Sequence, residues 1–473
     1  MSGYEIFVRC FFFVEAFIIV YVAAINAIYL FLVVMGFFAL ERRKPVPRRE
    51  RDALLKSPLL PAVAILAPAY NEALTCRDSV RAMLGLRYPN HEVIVINDGS
   101  TDDTLQILIK SFKLYRSGRT PTGTLATKPI RAIYESRDPI RLVVIDKENG
   151  GKADSLNAGI NVARAPLICA VDSDSLMEEE ALIYVVEPFL DDESTVATGG
   201  IIRVANGCRV EGGRVVEVRA PGRLLPIFQV IEYLRAFLGG RVAFSFLNSL
   251  LIVSGAFGVF RRDAVLEAGG YLPRTVGEDM ELVVRLHRLF RQTDRPYKIV
   301  FVPEPVCWTE VPETLRILAR QRNRWQRGTL DTLMIHRTML FNPRYGVVGL
   351  FALPYFLFFE LLGPLVELTG YVMTITGLIL GLIEPQLAIL FFTVALLFGV
   401  LLSMSAVVLE ELTQRRYPAP RDLIRLFFGA VVENVGYRQL LMIWRTQGLI
   451  DGLRGKQGWG TMERRGFGSP RQS

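Results

Sequence analysis

An α/β domain with a mainly parallel sheet, held between membrane segments, is the architecture this sequence predicts. Three observations predict it. Short apolar runs alternate with helical patterns from Pro61 onward, each run ends in a polar turn-forming loop, and apolar blocks of spanning length stand on both sides. At 473 residues, 51% of them apolar, the chain is too long and too apolar for one soluble domain.

The first block runs from Phe7 to Leu40, interrupted mainly by Arg9, Glu15 and Asn26, and the basic stretch ERRKPVPRRERD follows it at once. Such a patch stays on the cytosolic side, which puts the N-terminus outside if the run spans once. MSGYEIFVRC has no clear basic start or small-residue cleavage site, so the block reads as an anchor. A second block runs from Tyr345 to Leu409, with natural breaks at Pro364 and at Glu384 to Gln386. It divides into segments at roughly 346–363, 366–383 and 386–409, each near the ~20 residues of a span. Glu360 and Glu367 bracket the first break, and mark either an interfacial or re-entrant segment or a polar channel lining. Asp422 to Leu449 reads as an amphipathic interfacial helix. The chain thus divides into an anchor (1–44), a cytosolic domain (45–340), C-terminal transmembrane helices (341–415) and an interfacial helix with a tail (416–473).

In the soluble part, AVAIL (Ala62 to Leu66), EVIVI (Glu92 to Ile96), RLVVI (Arg141 to Ile145) and LICAV read as buried strands. TCRDSVRAMLGL, capped by Thr75, TDDTLQILIKSF and KADSLNAGINVA read as the helices between them, with a polar loop at about 115–139. In such sheets ligands bind beyond the carboxyl ends of the strands. Here those ends are APAYNEA, NDGSTDD, DKENGGK and DSDS, and all four open on one edge. Singly, each is also a plain N-cap sequence; four in series describe one site.

Asp172 and Asp174, at i and i+2 past the fourth strand, can converge on one face. Hard oxygens so placed suit Mg²⁺ or Mn²⁺ shared with substrate phosphates. Leu176 and Met177 break the calcium-loop pattern, Asp146 and Ala153 break the Walker pattern, and no G-x-G-x-x-G follows the first strand. The metal pair with Lys152 in a glycine-flanked loop points to a nucleotide diphosphate, and Asp98, exposed by Gly99, to contact with its base or ribose. Glu278 and Asp279 open a helical pattern, as dipole-favoured charges or with one as a general base for an acceptor hydroxyl. Gln321, Arg324 and Trp325 share one helix face, where arginine suits a diphosphate and tryptophan a sugar or base; a basic juxtamembrane helix is the plainer alternative. Five scattered cysteines fit a reduced cytosolic domain. The net charge of +8 sits beside membrane segments, which favours anionic lipid over nucleic acid as its partner.

The ordered set PAYNEA, NDGSTDD, GGKADSLNAG, DSD, GED and QRNRW resembles the membrane-bound family 2 glycosyltransferases, among them cellulose, hyaluronan, chitin-oligosaccharide and poly-N-acetylglucosamine synthases. The resemblance runs from about residue 61 to 328. It implies a GT-A fold and inverting transfer from a nucleotide sugar, a UDP-sugar foremost. Carried over motif by motif, it implies that Tyr70, Asn71 and Asp98 contact the nucleotide, with Lys152 near its phosphates. It further implies Asp172 and Asp174 as the metal pair, Asp174 as direct ligand, Asp279 as base beside Glu278, and Gln321, Arg324 and Trp325 as the pyrophosphate and acceptor motif. The turn-rich stretch from Ile201 to Pro226 has no counterpart in it and reads as a surface hairpin. In the tail, Trp459, Met462 and Arg464 form an interface anchor or a gate.

The leading expectation is a multi-pass enzyme of the cell's inner membrane, catalytic domain cytoplasmic, that extends a polysaccharide and exports it through its own helices, with possible export or accessory subunits. Two alternatives stand beside it. One is transfer of a single sugar to a polyprenyl-phosphate carrier, giving a lipid-linked product. The other is a catalytically silent scaffold, against which the intact Asp172, Asp174, Asp279, Arg324 and Trp325 count.

Overall fold

A computed structural model describes residues 3–42, 47–137, 140–173 and 175–456. Asp174 and the tail residues Trp459, Met462 and Arg464 lie outside them.

The four expected strands form the centre of a ten-stranded sheet. Leu142–Lys147, His91–Asp98, Val63–Ala69 and Leu167–Val171 lie side by side in that order, all parallel. They are parallel because a helix lies between each strand and the next in the chain: Cys76–Leu84, Thr104–Phe112 and Lys152–Val162. Their apolar runs are sealed on both faces; Ile65, Leu66, Ile94 and Ile96 are fully buried, each worth roughly 1.5–3 kcal/mol. From Val63–Ala69 the strand order runs one way to His91–Asp98 and the other way to Leu167–Val171. That reversal opens a crevice at the carboxyl ends.

Beyond Leu167–Val171 the sheet turns mixed. Phe257–Arg261 pairs antiparallel to it with Phe257 opposite Val171, so the segment entering this strand arrives where Asp172 leaves the other. Thr195–Val204, Lys298–Thr309 and Leu176–Met177 complete that side.

Two expectations are corrected. The stretch 115–139 is not all loop, since Tyr115–Arg116 and Ile130–Glu135 add two strands to the other edge. Nor is 201–226 wholly a surface hairpin. Its first four residues end a strand buried at all ten positions, only Arg209–Glu211 and Arg214–Glu217 form the hairpin, and Leu224 opens the next helix.

The N-terminal apolar block is one helix, Gly3–Arg42, and the last apolar segment is another, Pro385–Thr413. Both are long and apolar enough to cross a membrane. Between them, Val348–Leu361 and Gly363–Ile379 meet at a 41° bend, so the two expected segments are one broken span or a re-entrant pair. Pro364, in the first turn of the second helix, ends the preceding ladder there. The expected interfacial helix is two helices, Pro420–Val432 and Tyr437–Leu453, parted at Gly436, whose φ of 87° no continuing helix holds. The second packs along Leu315–Ile335 and against Gly363–Ile379 rather than lying apart.

The sheet domain and the C-terminal apolar helices are joined by ion pairs. Arg203, near the end of a sheet strand, meets Glu410 at 2.9 Å, both 2% exposed. Arg235 meets Glu433 at 2.7 Å, and Ser403 donates to the same carboxylate at 2.5 Å.

Candidate active site

The strand-end loops are tied to one another. In the first, Asn71 takes the left-handed conformation, φ 56°, and its Oδ1 accepts from the Thr101 N–H of the second at 2.8 Å. Asp102 Oδ2 returns the link by accepting from the Ala73 N–H at 3.1 Å. Tyr70 stands half-exposed at the rim. Thr75 leads its helix without a side-chain cap and donates instead to Glu72 at 2.8 Å.

Asp98 differs from its expectation: it is buried, not exposed. Its carboxylate takes Lys147 Nζ at 2.6 Å and the N–H groups of Gly150 and Gly151 at 2.9 and 2.8 Å. The reason is Lys147, which has no solvent exposure and is held between Asp98 and Asp154, the latter at 2.7 Å. A buried ammonium needs such partners. Asp98 therefore shapes the glycine turn that delivers Lys152.

Lys152 begins its helix and crosses the crevice. Its Nζ donates to Asp172 Oδ1 at 2.5 Å and to the Gly255 carbonyl at 3.0 Å, with Glu278 at 3.9 Å. Burial disfavours its charge, yet Asp172 and Glu278 outweigh that and hold its pKa above the ordinary lysine value. Gly255 in turn donates its N–H to Asp279 Oδ2 at 3.0 Å, and Asp279 Oδ1 accepts from the Met280 N–H at 2.8 Å. Glu278 is buried. Desolvation pushes its carboxyl up to about 7, with Lys152 opposing and Asp279 adding to the shift. Adjacent carboxylates thus differ: one is oriented by backbone donors, the other partly protonated near neutral pH.

The helix Leu315–Ile335 brings up the last motif. It crosses the start of the Glu278 helix at a contact of two glycines, where a Cβ on Gly328 would lie 2.9 Å from the Gly277 Cα. Only glycine permits that approach. As a result Gln321, Arg324 and Trp325 face the same cavity as Lys152, Asp172, Glu278 and Asp279. Tyr70, Asn71 and Asp98 stand in the adjoining loops and do not line it.

This cavity, about 1170 Å³, does not end at the carboxylates. It continues along the Gly3–Arg42 helix past Tyr21 and Asn26, along Gly363–Ile379 past Glu367 and Tyr371, and beside Arg438 and Arg445 of the C-terminal helix. Glu360 lines it and pairs with Arg445 at 2.9 Å, and Glu367 lines it as well. Among the described residues, seven acidic and seven basic side chains line it, so its formal charge is balanced. All five cysteines are free thiols, and the described residues contain no cluster of three or more metal-ligating side chains.

Lys147, Gly255, Glu232 and Arg322 escaped the sequence reading. Lys147 lies in the quoted DKENGGK, and its apolar context was the available signal. Gly255 lies in the glycine-rich stretch VSGAFGVFRRD, but its partner Asp279 is set by strand pairing.

With the geometry in place, comparison with known proteins decides the family. A model of "Glycosyl transferase family 2" matches residues 64–267, and one of "Glycosyl transferase family group 2" matches residues 167–403, half of the chain. The chain belongs to the family 2 glycosyltransferases. As such it is a glycosyltransferase with a GT-A domain, the mixed sheet described above. This glycosyltransferase is 29% identical over 276 residues to the poly-β-1,6-N-acetyl-D-glucosamine synthase of Staphylococcus aureus, a match covering 58% of this chain. It is 28% identical over 303 residues to the probable glycosyltransferase YdaM of Bacillus subtilis, covering 63% of this chain. The chain spans 56% and 62% of the length of these two relatives. Among solved structures, a mannosyltransferase of Pyrobaculum calidifontis in complex with GDP-mannose and Mn²⁺ superposes with a TM-score of 0.49 at 18% identity, over 87% of this chain and 99% of that one.

Proposed function

We propose that this glycosyltransferase transfers a neutral sugar, an N-acetylhexosamine foremost, from a UDP-sugar to a growing polysaccharide, inverts the anomeric centre, and passes the chain through its own membrane helices. The continuous cavity carries this reading. It exceeds the roughly 300–1,000 Å³ of small-molecule pockets and runs from the carboxylates to the membrane helices, as a polymer path must. Its balanced charge suits an uncharged polymer. The S. aureus relative bears the name of a synthase of such a polymer.

In this reading Asp279, held by the Gly255 N–H, accepts the proton of the acceptor hydroxyl as that oxygen bonds to the anomeric carbon. The bond to the diphosphate breaks on the opposite face, so one displacement inverts the centre and needs no covalent nucleophile. Lys152 and Arg324 take the charge of the leaving diphosphate. Tyr70 and Asn71 border the nucleotide, and Gln321 and Trp325 hold the acceptor. Asp172, whose Oδ1 alone meets Lys152, offers hard oxygen with Asp174 for Mg²⁺ or Mn²⁺, which would share in that neutralisation. The enzyme sits in the cell membrane with its sheet domain in the cytosol, against anionic lipid and any export subunit.

The test is UDP release by the full chain in lipid vesicles with Mg²⁺ or Mn²⁺ across a panel of UDP-sugars, the product sized on a gel. High-molecular-weight product from UDP-N-acetylglucosamine is expected. Release that appears only with added polyprenyl phosphate would move the reaction to a single transfer, and no release from any donor would overturn it.

A further inference from the structure

Trp325 sits on an ion pair made by Arg322, which stands between Gln321 and Arg324 in QRNRW. The guanidinium of Arg322 lies 4.2 Å from the centre of the Trp325 ring, close enough for a cation–π stack. That guanidinium is 2% exposed and fixed by Glu232, whose Oε2 accepts from its Nη2 at 2.8 Å. The same oxygen accepts from the Tyr437 hydroxyl at 2.9 Å. Three elements meet there: Glu232 lies in the last turn of the helix Leu224–Leu234, ahead of a π-helical turn at Arg235–Arg241, Arg322 lies on Leu315–Ile335, and Tyr437 opens the C-terminal helix after the break at Gly436. Turns of that kind favour functional sites.

The arrangement is costly for a merely structural pair. Nε and Nη1 of Arg322 are buried without hydrogen-bond partners, a loss that close-packed apolar residues would avoid. What it achieves is orientation. One face of the indole is covered by the guanidinium, while the residue keeps 42% exposure and lines the cavity beside Gln321. An aromatic ring presenting one open, electron-rich face suits the C–H face of a sugar.

We propose that Arg322, locked by Glu232 and Tyr437, is a positioning residue that fixes the Trp325 ring as the platform for the acceptor's terminal sugar, and so tunes affinity for the growing chain rather than for the donor. This rests on the reading of Trp325 as an acceptor contact. Lysine at 322 keeps the charge but loses the flat stack on the indole.

The experiment compares the full chain in vesicles with Arg322→Lys, Tyr437→Phe and Trp325→Ala, measuring UDP release from UDP-N-acetylglucosamine against a short N-acetylglucosamine oligosaccharide, together with the melting temperature. Arg322→Lys is expected to raise the acceptor KM about fivefold and leave the donor KM unchanged, the size of one lost cation–π contact. Tyr437→Phe should move the same parameter in the same direction by less. Oligosaccharide should also quench tryptophan fluorescence in the parent, with the quench weakened in Arg322→Lys. If Trp325→Ala raises the acceptor KM while Arg322→Lys and Tyr437→Phe do not, the positioning role is overturned and the platform stands. Should Trp325→Ala leave it unchanged, the platform reading falls and the positioning role with it. If Arg322→Lys does not fold, Tyr437→Phe alone decides.

Discussion

Glu278 and Asp279 are neighbours in sequence, but their oxygens face different things. Both oxygens of Asp279 accept backbone N–H groups, which fixes how the carboxylate points, whereas Glu278 is buried beside Lys152. Asp279→Asn keeps the shape and removes the basicity, so UDP release should fall by about 10²–10⁴ while binding of UDP, read by calorimetry, is retained. Near-normal turnover in that variant would sink the assignment. For Glu278 the prediction concerns stability. Its carboxyl is raised from 4.5 to about 7, so the fold holds this proton more tightly than the unfolded chain does. Below pH 4.5 both states carry it and nothing is lost; between 4.5 and 7 the unfolded chain gives it up first, and the native state loses up to about 3 kcal/mol. Glu278→Gln removes that loss. Its melting temperature relative to the parent should therefore be higher at pH 8 than at pH 5, and the same difference at both pH values would refute the buried proton. The sequence made both carboxylates legible as candidates, since GED opens a helical pattern. It could not tell them apart, because Gly255 reaches Asp279 only through the antiparallel pairing of Phe257–Arg261 with Leu167–Val171.

Among elements, the four parallel strands were legible because each is a continuous apolar run ending in a polar turn. The strand Thr195–Val204 runs into the stretch that reads as turn-rich, and it carries two glycines, Gly199 and Gly200. In the fold they leave room for Val253 and Val306, which a Cβ would meet at 2.9 and 2.5 Å. The edge strands Tyr115–Arg116 and Ile130–Glu135 were missed for another reason: they are short and half-exposed, and so lack an apolar run. Crossing of elements is less legible still, and the Gly277–Gly328 contact shows why it matters. It places the helix bearing Gln321, Arg324 and Trp325 against the start of the one bearing Asp279. Gly328→Ala would bring a methyl group to about 2.9 Å from the Gly277 Cα, backbone that cannot rotate away. The helices must separate, and overpacking of this kind costs about 1–3 kcal/mol. We expect a lower melting temperature together with a loss of UDP release larger than the stability change explains. An unaltered rate would mean that the crossing does not set the site.

At the scale of the whole molecule, the question is whether chemistry and the membrane path are one machine. The apolar blocks were legible from composition, but not the bend of Val348–Leu361 on Gly363–Ile379, nor the packing of Tyr437–Leu453 beside the Arg324 helix, since hydropathy carries no information on which helices touch. Those two features build the cavity wall. Ala395, on the apolar Pro385–Thr413 helix, lines the cavity far in sequence from any motif and makes none of the catalytic contacts. Ala395→Trp places a large ring in the path and leaves Lys152, Asp279 and Arg324 as they are. If the polymer leaves by this route, the first transfers should proceed and the chain should then stall, so that in vesicles the gel shows short products at little change in donor KM. If the enzyme instead loads one sugar on a lipid carrier from the cytosolic side, Ala395→Trp should release UDP at the parent's rate in the presence of polyprenyl phosphate. Full-length polymer at the parent's rate would mean that the cavity is not the exit, and export would fall to a partner. The substitution therefore separates the two reactions that the same catalytic groups can perform, because it acts where their products part.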